Sequence, residues 1–506
     1  MSSRTFWTMS LLGSILTLVF FFLTSVPLGI PGEWVWNRID YSDAGAIIEL
    51  SSNLMMFAFV AIPWLLFVRW GTRQIDFAPS RKWLLLSLTL GSFFLVSFLQ
   101  RIPDRVSIPK TWVLYYPNMS GYFHLARYEM QDSATFLKTY EARMSEGDVL
   151  HIGTHPPGLF LLNRWLWRTC EASPALSNVC LSMMSASSRE ELDALEETLS
   201  LSGVVLKDSD RVTLWLSQWL TEMFAVAALV PLFLLLRQQV STQTSWLIAA
   251  SWPLVPSLSL FLPKSDTLFP CLGLFFLFFW VSSLSHRSWF RAIMAGFIFW
   301  CGSMLSLAMV PMALIAGLYS LLIYSPKLPS SNEQRVNVKA ILMTLLVSLV
   351  TFLVLTFAMW IQYQIDLFAV WVWNYRNHAG FYEQFTRTYY KWLIANPIET
   401  FFALGAPLSV AALLGVNAVF KSSRSHAKLL WAGVLVWGAI WISGKNSGEA
   451  ARLWLLFFPI ALFFAAHFLE SIPTENDARL KLGGRMLVFQ MIVCAMTVAA
   501  MSGFSV

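Results

Sequence analysis

Long apolar runs dominate this chain, separated by short loops and by one long polar segment. About thirteen runs reach spanning length, near 6–28, 48–68, 83–100, 212–235, 244–262, 267–284, 290–307, 308–324, 340–361, 398–420, 429–443, 452–469 and 484–503. In a bilayer each such run satisfies its backbone only as a helix. The pattern predicts an all-α polytopic membrane protein of about 13 transmembrane helices. The pair at 290–324 reads also as one kinked element. The first run, from Phe6 to about Leu28, is longer than a signal-peptide core and lacks a small-x-small cleavage site. It reads as an uncleaved span.

Side assignment follows from the basic residues. With Arg4 placed inside, the inside loops carry Arg69, Arg73, Arg81 and Lys82; Arg237; Arg287 and Arg291; Lys327, Arg335 and Lys339; Lys421, Arg424 and Lys428; and Arg479, Lys481 and Arg485. Every inside loop is then basic, as the positive-inside rule demands. The outside receives 29–47, 101–211, the turn Pro263-Lys264-Ser265-Asp266, 362–397 and 444–451. Residues 101–211 are too many for a structureless loop, so they are expected to carry amphipathic juxtamembrane helices, at 122–145 and 187–201. Three regions result. Residues 1–82 hold two N-terminal spans with a short outer loop. Residues 83–324 form a core that includes outer loop 101–211. Residues 325–506 hold the C-terminal spans with outer loops 362–397 and 444–451.

Composition agrees with this class. Hydrophobic residues make up 57% and charged residues 13%, too few charges to clothe a soluble protein of 506 residues. The net charge of +6 falls mostly in the inside loops, and no basic run is interleaved with aromatics, so nucleic acid is not an expected partner. Five cysteines are few; Cys170 and Cys180 sit close in the polar segment, where an external location would permit a disulfide.

The candidate chemistry collects on the outside. Gly153-Thr154-His155-Pro156-Pro157-Gly158 is a rigid corner that presents a histidine, or a plain turn into the apolar residues that follow. Asp40 and Asp43 in the first outer loop suit a base or a metal site, or solvated positions. Glu129 and Asp132 lie three apart and, with His155, suit general-base work, or are surface charge. Lys264 and Asp266 place both signs of charge in one tight turn. In 444–452, Lys445, Glu449 and Arg452 precede an apolar run; the arginine suits a phosphate, or an intrahelical pair with Glu449. Between Trp371 and Asn396, Arg376, His378, Arg387 and Lys391 stand among aromatics, a mixture suited to a phosphate and a sugar ring. The acids of 187–201 read as a solvated helix face rather than a metal site. No Walker loop, dinucleotide fingerprint, nucleophile elbow or His-Glu-x-x-His motif occurs.

Three short motifs together carry a resemblance. Tyr122-Phe123-His124-Leu125-Ala126, Thr154-His155-Pro156-Pro157-Gly158-Leu159 and Pro263-Lys264-Ser265-Asp266 resemble, in order, pieces of the integral-membrane glycosyltransferases of the GT-C class. The similarity is to the protein-mannosyltransferase and aminoarabinose-transferase branch and spans roughly residues 84–320. It implies a GT-C-like fold and a polyprenyl-phosphate sugar donor. The acceptor would be a glycan, lipid or protein reached from outside, with membrane lipids as surroundings. Catalytic roles would fall to Asp40, Asp43, Glu129, Asp132, His155 and Asp266. Substrate contacts would fall to Tyr122, Lys264, Arg376, His378, Arg387, Lys391, Lys445, Glu449 and Arg452. Where the family carries its acidic pair, this chain has Asn118 and Met119, so the base is sought among Asp104, Glu129, Asp132, Asp40 and Asp43. No cofactor is required; a divalent metal is compatible. The expected location is a bacterial inner (plasma) membrane, with the site on the periplasmic or outer face. Alternatives are a secondary transporter or flippase, and a non-catalytic or polymerase- or ligase-type relative.

Overall fold

The computed structural model describes residues 3–77, 79–103, 108–324, 338–420, 427–472 and 476–504. Asp104 and the loop residues Lys327, Arg335, Lys421 and Arg424 lie outside the described residues. Among those described, eight helices are long and apolar enough to cross a membrane: Ser3–Leu23, Ala44–Gln74, Arg81–Gln100, Asp208–Leu236, Ser265–His286, Leu307–Tyr324, Val338–Tyr363 and Ala478–Ala500. Tyr389–Leu404 and Ala406–Phe420 add a ninth if the 114° bend between them belongs to one span. Among the described residues strand is limited to two short antiparallel pairings, Gly29–Ile30 with Trp34–Val35 and Asn37–Arg38 with Met501–Ser502. Side chains on the outer shell of these helices are apolar and open, with Phe59 77% and Ile361 75% exposed. Faces of that kind belong in lipid rather than water.

Among the described residues the fold is all-α, with eight or nine helices long and apolar enough to span, against the thirteen apolar runs of the sequence. Trp289–Leu305, Ala427–Ile442 and Leu455–Glu470 are apolar but shorter than the others. The run near 244–262 is interrupted by Pro253 and Pro256. It becomes a helix Thr242–Ser251, a single tight turn Trp252–Leu254, and a short helix Pro256–Phe261. Two prolines in four residues remove two amide donors, and the helix ends there. The run near 398–420 breaks at Gly405, whose φ of +88° only glycine adopts freely.

One side chain closes both breaks. Gln490, fully buried in the Asn476–Ala500 helix, donates from Nε2 to the carbonyls of Leu254 (2.8 Å) and Leu404 (2.9 Å), and its Oε1 accepts from the Leu408 amide at 3.3 Å. Backbone groups orphaned by the kinks are thereby paired inside the apolar bundle. A Cβ at residue 405 would lie 2.4 Å from Gln490 Nε2.

The polar segment is folded rather than loose. Leu114, Tyr115, Phe123, Trp167, Leu192, Leu195 and Trp215 share a separate apolar core. The expected helix at 187–201 is found as Ala186–Ser200, with Leu192, Leu195 and Leu199 buried. Three of its acids are engaged: Arg211 pairs with Glu196 at 2.6 Å and with Asp193, and Glu191 accepts from Thr111 Oγ1 at 3.2 Å. The 122–145 stretch is broken into Tyr122–His124, a wide turn Leu125–Glu129, Ser133–Lys138 and Tyr140–Met144. The fully buried Asp210 ties this layer together. It accepts from Arg127 Nε at 2.6 Å, from Trp167 Nε1 at 2.8 Å and from the Lys207 amide at 3.0 Å. Cys170 and Cys180 are both buried and both free. Each packs as a small apolar side chain.

Candidate functional site

Five stretches remote in sequence converge: 117–124, 148–158, 264–266, 374–382 and 444–452. The joints are polar side chains bonded to loop backbone. Asp148 accepts the amides of Leu150 (2.8 Å), His151 (2.9 Å) and Gly153 (3.3 Å), which shapes the turn before the proline pair. Burial pushes its carboxyl up, but these bonds outweigh that and hold it below the ordinary aspartate value. From the Leu367–Gln384 helix, Asn377 donates to the carbonyls of Met144 (2.9 Å) and Gly153 (3.0 Å), and Asn374 donates to that of Thr154. Pro157 then caps the helix Gly158–Ala172. Gly158 is needed there because a Cβ would stand 2.5 Å from the Met304 carbonyl. The proline-rich corner is therefore both a turn into a helix and a mount for His155.

His155 packs edge-on to Tyr122, with ring centroids 5.5 Å apart, and Tyr122 is 5.9 Å from His151. Burial, with His151 and His378 nearby, lowers the His155 pKa to about 3, so the ring is neutral at ordinary pH. Its tautomer follows from its neighbour. Thr154 Oγ1 donates its one proton to the Leu150 carbonyl at 2.9 Å, so it accepts from His155 Nδ1 at 3.1 Å. Nε2 is left as the lone-pair nitrogen. Tyr140 donates to the His155 carbonyl at 2.7 Å. The Tyr122 hydroxyl bonds Ser265 and feels Asp266 and Arg452; burial raises its pKa above the usual phenol value.

The charges meet beside that aromatic wall. Arg452 Nη2 lies 2.5 Å from Glu449 Oε2, and Arg452 Nε lies 3.6 Å from Asp266 Oδ2. Lys264 donates to the Met119 carbonyl, and burial, with Arg452 beside it, lowers its pKa to about 8. Arg452 and Asp266 keep 21% and 23% of their side chains exposed. The charged group is thus part-open rather than sealed in the core. Lys445 lies over the Tyr375 ring at 4.8 Å. Tyr382 accepts from the Ser447 amide at 3.2 Å, which fixes the 444–449 loop to the same wall.

Other expected residues have different places. Asp40 accepts from the Ser42 amide and Asp43 caps the Ala44–Gln74 helix through the Gly45 amide; both are exposed. Asp132 caps Ser133–Lys138 through the Thr135 amide. Glu129 is half-exposed, with Arg143 at 3.8 Å. Arg376 stacks on Trp373 at 5.3 Å. Arg387 and Lys391 face Glu33. Arg387 donates to its carbonyl at 2.6 Å, and the Lys391 ammonium is 3.8 Å from its carboxylate. That carboxylate also accepts from Thr388 and from Trp392 Nε1 at 2.6 Å. Glu33 is therefore a strut between the first hairpin and the Tyr389–Leu404 helix. Of these residues, Arg387 also borders the 444–452 turn, its Nε beside Gly448.

Several participants were not singled out from sequence: His151, Asp148, Asn374, Asn377 and Asn396. Asn396 accepts from the Gly448 amide and donates to the Asn446 carbonyl, each at 3.3 Å. Glu399, one turn along and fully buried, lies against the amides of Ala450 and Ala451. The signal for Glu399 was a lone acid inside the apolar run at 398–420. Among the described residues no group of three or more His, Cys, Asp or Glu side chains could hold a metal ion. Neither a protein-family model nor a curated protein matches the chain.

Proposed function

We propose that the protein is a membrane glycosyltransferase of GT-C type, moving a sugar from a polyprenyl-phosphate donor to a glycan, lipid or protein acceptor. The observation that carries this reading is the part-exposed group in which Lys264, Asp266 and Arg452 stand against Tyr122 and His155. Transfer of a glycosyl group needs two things there. A carboxylate must take or orient the proton of the acceptor hydroxyl, and cations must hold the charge that grows on the departing phosphate. Asp266 suits the first role, since no hydrogen bond saturates it. Arg452 and Lys264 suit the second. The Nε2 lone pair of neutral His155 suits a sugar or acceptor hydroxyl. The polyprenyl chain would lie along the open apolar faces of the bundle. The charged group would face the outside of a bacterial plasma membrane, since the basic loops mark the other side.

The test is transfer of labelled sugar from polyprenyl-phosphate donors by the protein in nanodiscs. Asp266→Asn should lower kcat by about 10²–10⁴-fold, the range for losing a general base. Arg452→Ala should lower kcat/KM by about 10²–10³-fold. Undiminished transfer in both variants would remove these residues from the chemistry.

A transporter or flippase is the second reading, favoured by the helix breaks at 252–255 and 405, because transporters bind polar solutes at unwound helices. Here Gln490 already occupies the Leu254 and Leu404 carbonyls and the Leu408 amide. The breaks thus offer a solute little. Net flux of a labelled polyprenyl phosphate across proteoliposomes, without transfer, would favour it.

A further inference from the structure

The arginine that would hold the phosphate is already occupied. Glu449 Oε2 sits 2.5 Å from Arg452 Nη2, and Asp266 stands on its Nε side. A carboxylate at that distance makes a charge-assisted bond of the kind a phosphate oxygen would make. Glu449 does so from a backbone that resists it. Its φ is +54°, in the left-handed region that a residue with a Cβ rarely adopts. Gly444, Asn446 and Gly448 in the same loop share that region, with φ of +71°, +62° and +82°. The loop is coiled so that residue 449 reaches back onto residue 452.

The surroundings are also left incomplete. Arg452 Nε is buried without a hydrogen-bond partner, because the Asp266 oxygen at 3.6 Å is beyond reach. Arg387 Nε, which a Cβ on Gly448 would meet at 2.8 Å, is equally unpaired. Both oxygens of Glu399 lie beside the Ala450 and Ala451 amides without hydrogen-bond geometry. Buried polar atoms are normally paired, so this gathering of unpaired donors and acceptors around one turn marks it as a place that a ligand completes.

We propose that Glu449 acts as a carboxylate stand-in for the ligand's phosphate, closing Arg452 in the empty protein and leaving it when a lipid-linked phosphate ester binds. This rests on the phosphate reading of Arg452. Glu449 then determines specificity: a ligand must bring enough anionic charge to displace a carboxylate already in place, so neutral sugars and lipids do not open the site. Released from Arg452, residue 449 can return to an ordinary backbone conformation, which offsets part of the cost of breaking the pair.

The experiment compares binding of farnesyl phosphate and of inorganic phosphate to the full-length protein in nanodiscs. The native protein is set beside Glu449→Gln, Glu449→Gly and Arg452→Ala, with thermal melting as the check of folding. Glu449→Gln should bind farnesyl phosphate roughly tenfold more tightly, within the usual range of coupling between competing groups. Glu449→Gly, which also frees the left-handed backbone, should gain as much and supplies the test if the glutamine variant does not fold. A parallel gain for inorganic phosphate assigns the competition to the phosphoryl group itself. A gain confined to farnesyl phosphate assigns it to the lipid headgroup. Equal or weaker binding in both Glu449 variants, with binding lost in Arg452→Ala, would overturn the stand-in role and leave the phosphate reading intact. Native-strength binding in Arg452→Ala would remove the phosphate reading and this role with it.

Discussion

Lys264 shows how a residue's surroundings set a working range. A lysine in water keeps its charge to about 10.5, whereas burial and the nearby Arg452 bring Lys264 to about 8. Its ammonium is present below that pH and lost above it, so any phosphate contact it makes weakens as pH rises through 8. The KM for a polyprenyl-phosphate donor should climb by roughly tenfold above pH 8 and level off once Lys264 is neutral. Lys264→Arg, charged throughout, should flatten the climb. An identical profile in both proteins would exclude Lys264 from the contact. His155 adds no competing change in this window, because its pKa of about 3 keeps it neutral. From sequence, Lys264, Asp266 and Arg452 stood out because charges at the ends of apolar runs need a reason, and the structure brings the three together. Asp40, Asp43 and Asp132 gave the same signal and turn out to bond nearby amides. A carboxylate that caps a helix and one that joins a charged group differ in what lies across from them, and a linear sequence does not display that.

At the scale of elements, the decisive feature is the pair of breaks sealed by Gln490. Run length gave the apolar segments near 244–262 and 398–420 as single spans. The prolines at 253 and 256 and the glycine at 405 bend both, and one glutamine from a third helix pairs what the bends expose. The breakers were visible in the sequence; their common partner, more than eighty residues further on, was not. Gly405→Ala forces a Cβ into a left-handed backbone and against Gln490, which should cost about 1–3 kcal/mol. Gln490→Leu orphans two carbonyls and an amide, at about 1–3 kcal/mol for each buried group. Both should lower the thermal midpoint in detergent, with Gln490→Leu the more damaging. Unchanged melting in Gln490→Leu would show that the breaks are satisfied by other means. Likewise the 122–145 stretch, expected as one amphipathic helix, divides into short pieces. Its divisions let Tyr122 reach Ser265 while Arg127 reaches Asp210.

For the whole molecule, the class was legible from the apolar runs alone, because no soluble arrangement buries so much apolar surface with 13% charge. The number of spans was less legible, since run length does not separate a full crossing from a short apolar helix or a kinked pair. The basic loops propose a sidedness that a labelling experiment can test. A cysteine introduced within 444–448, in a background lacking accessible thiols, should react with a membrane-impermeant thiol reagent applied to intact cells. Labelling only after the cells are opened would place the charged group on the other side. The central claim is that Arg452, Lys264 and Asp266 form one site for a lipid-linked phosphate. The most direct measurement is a cryo-EM structure of the protein in nanodiscs with a long-chain polyprenyl phosphate. Phosphate density within hydrogen-bond distance of Arg452 and Lys264, with Asp266 beside it and Glu449 displaced, is the expected result. A lipid phosphate bound elsewhere, with the Arg452–Glu449 pair intact, would contradict it.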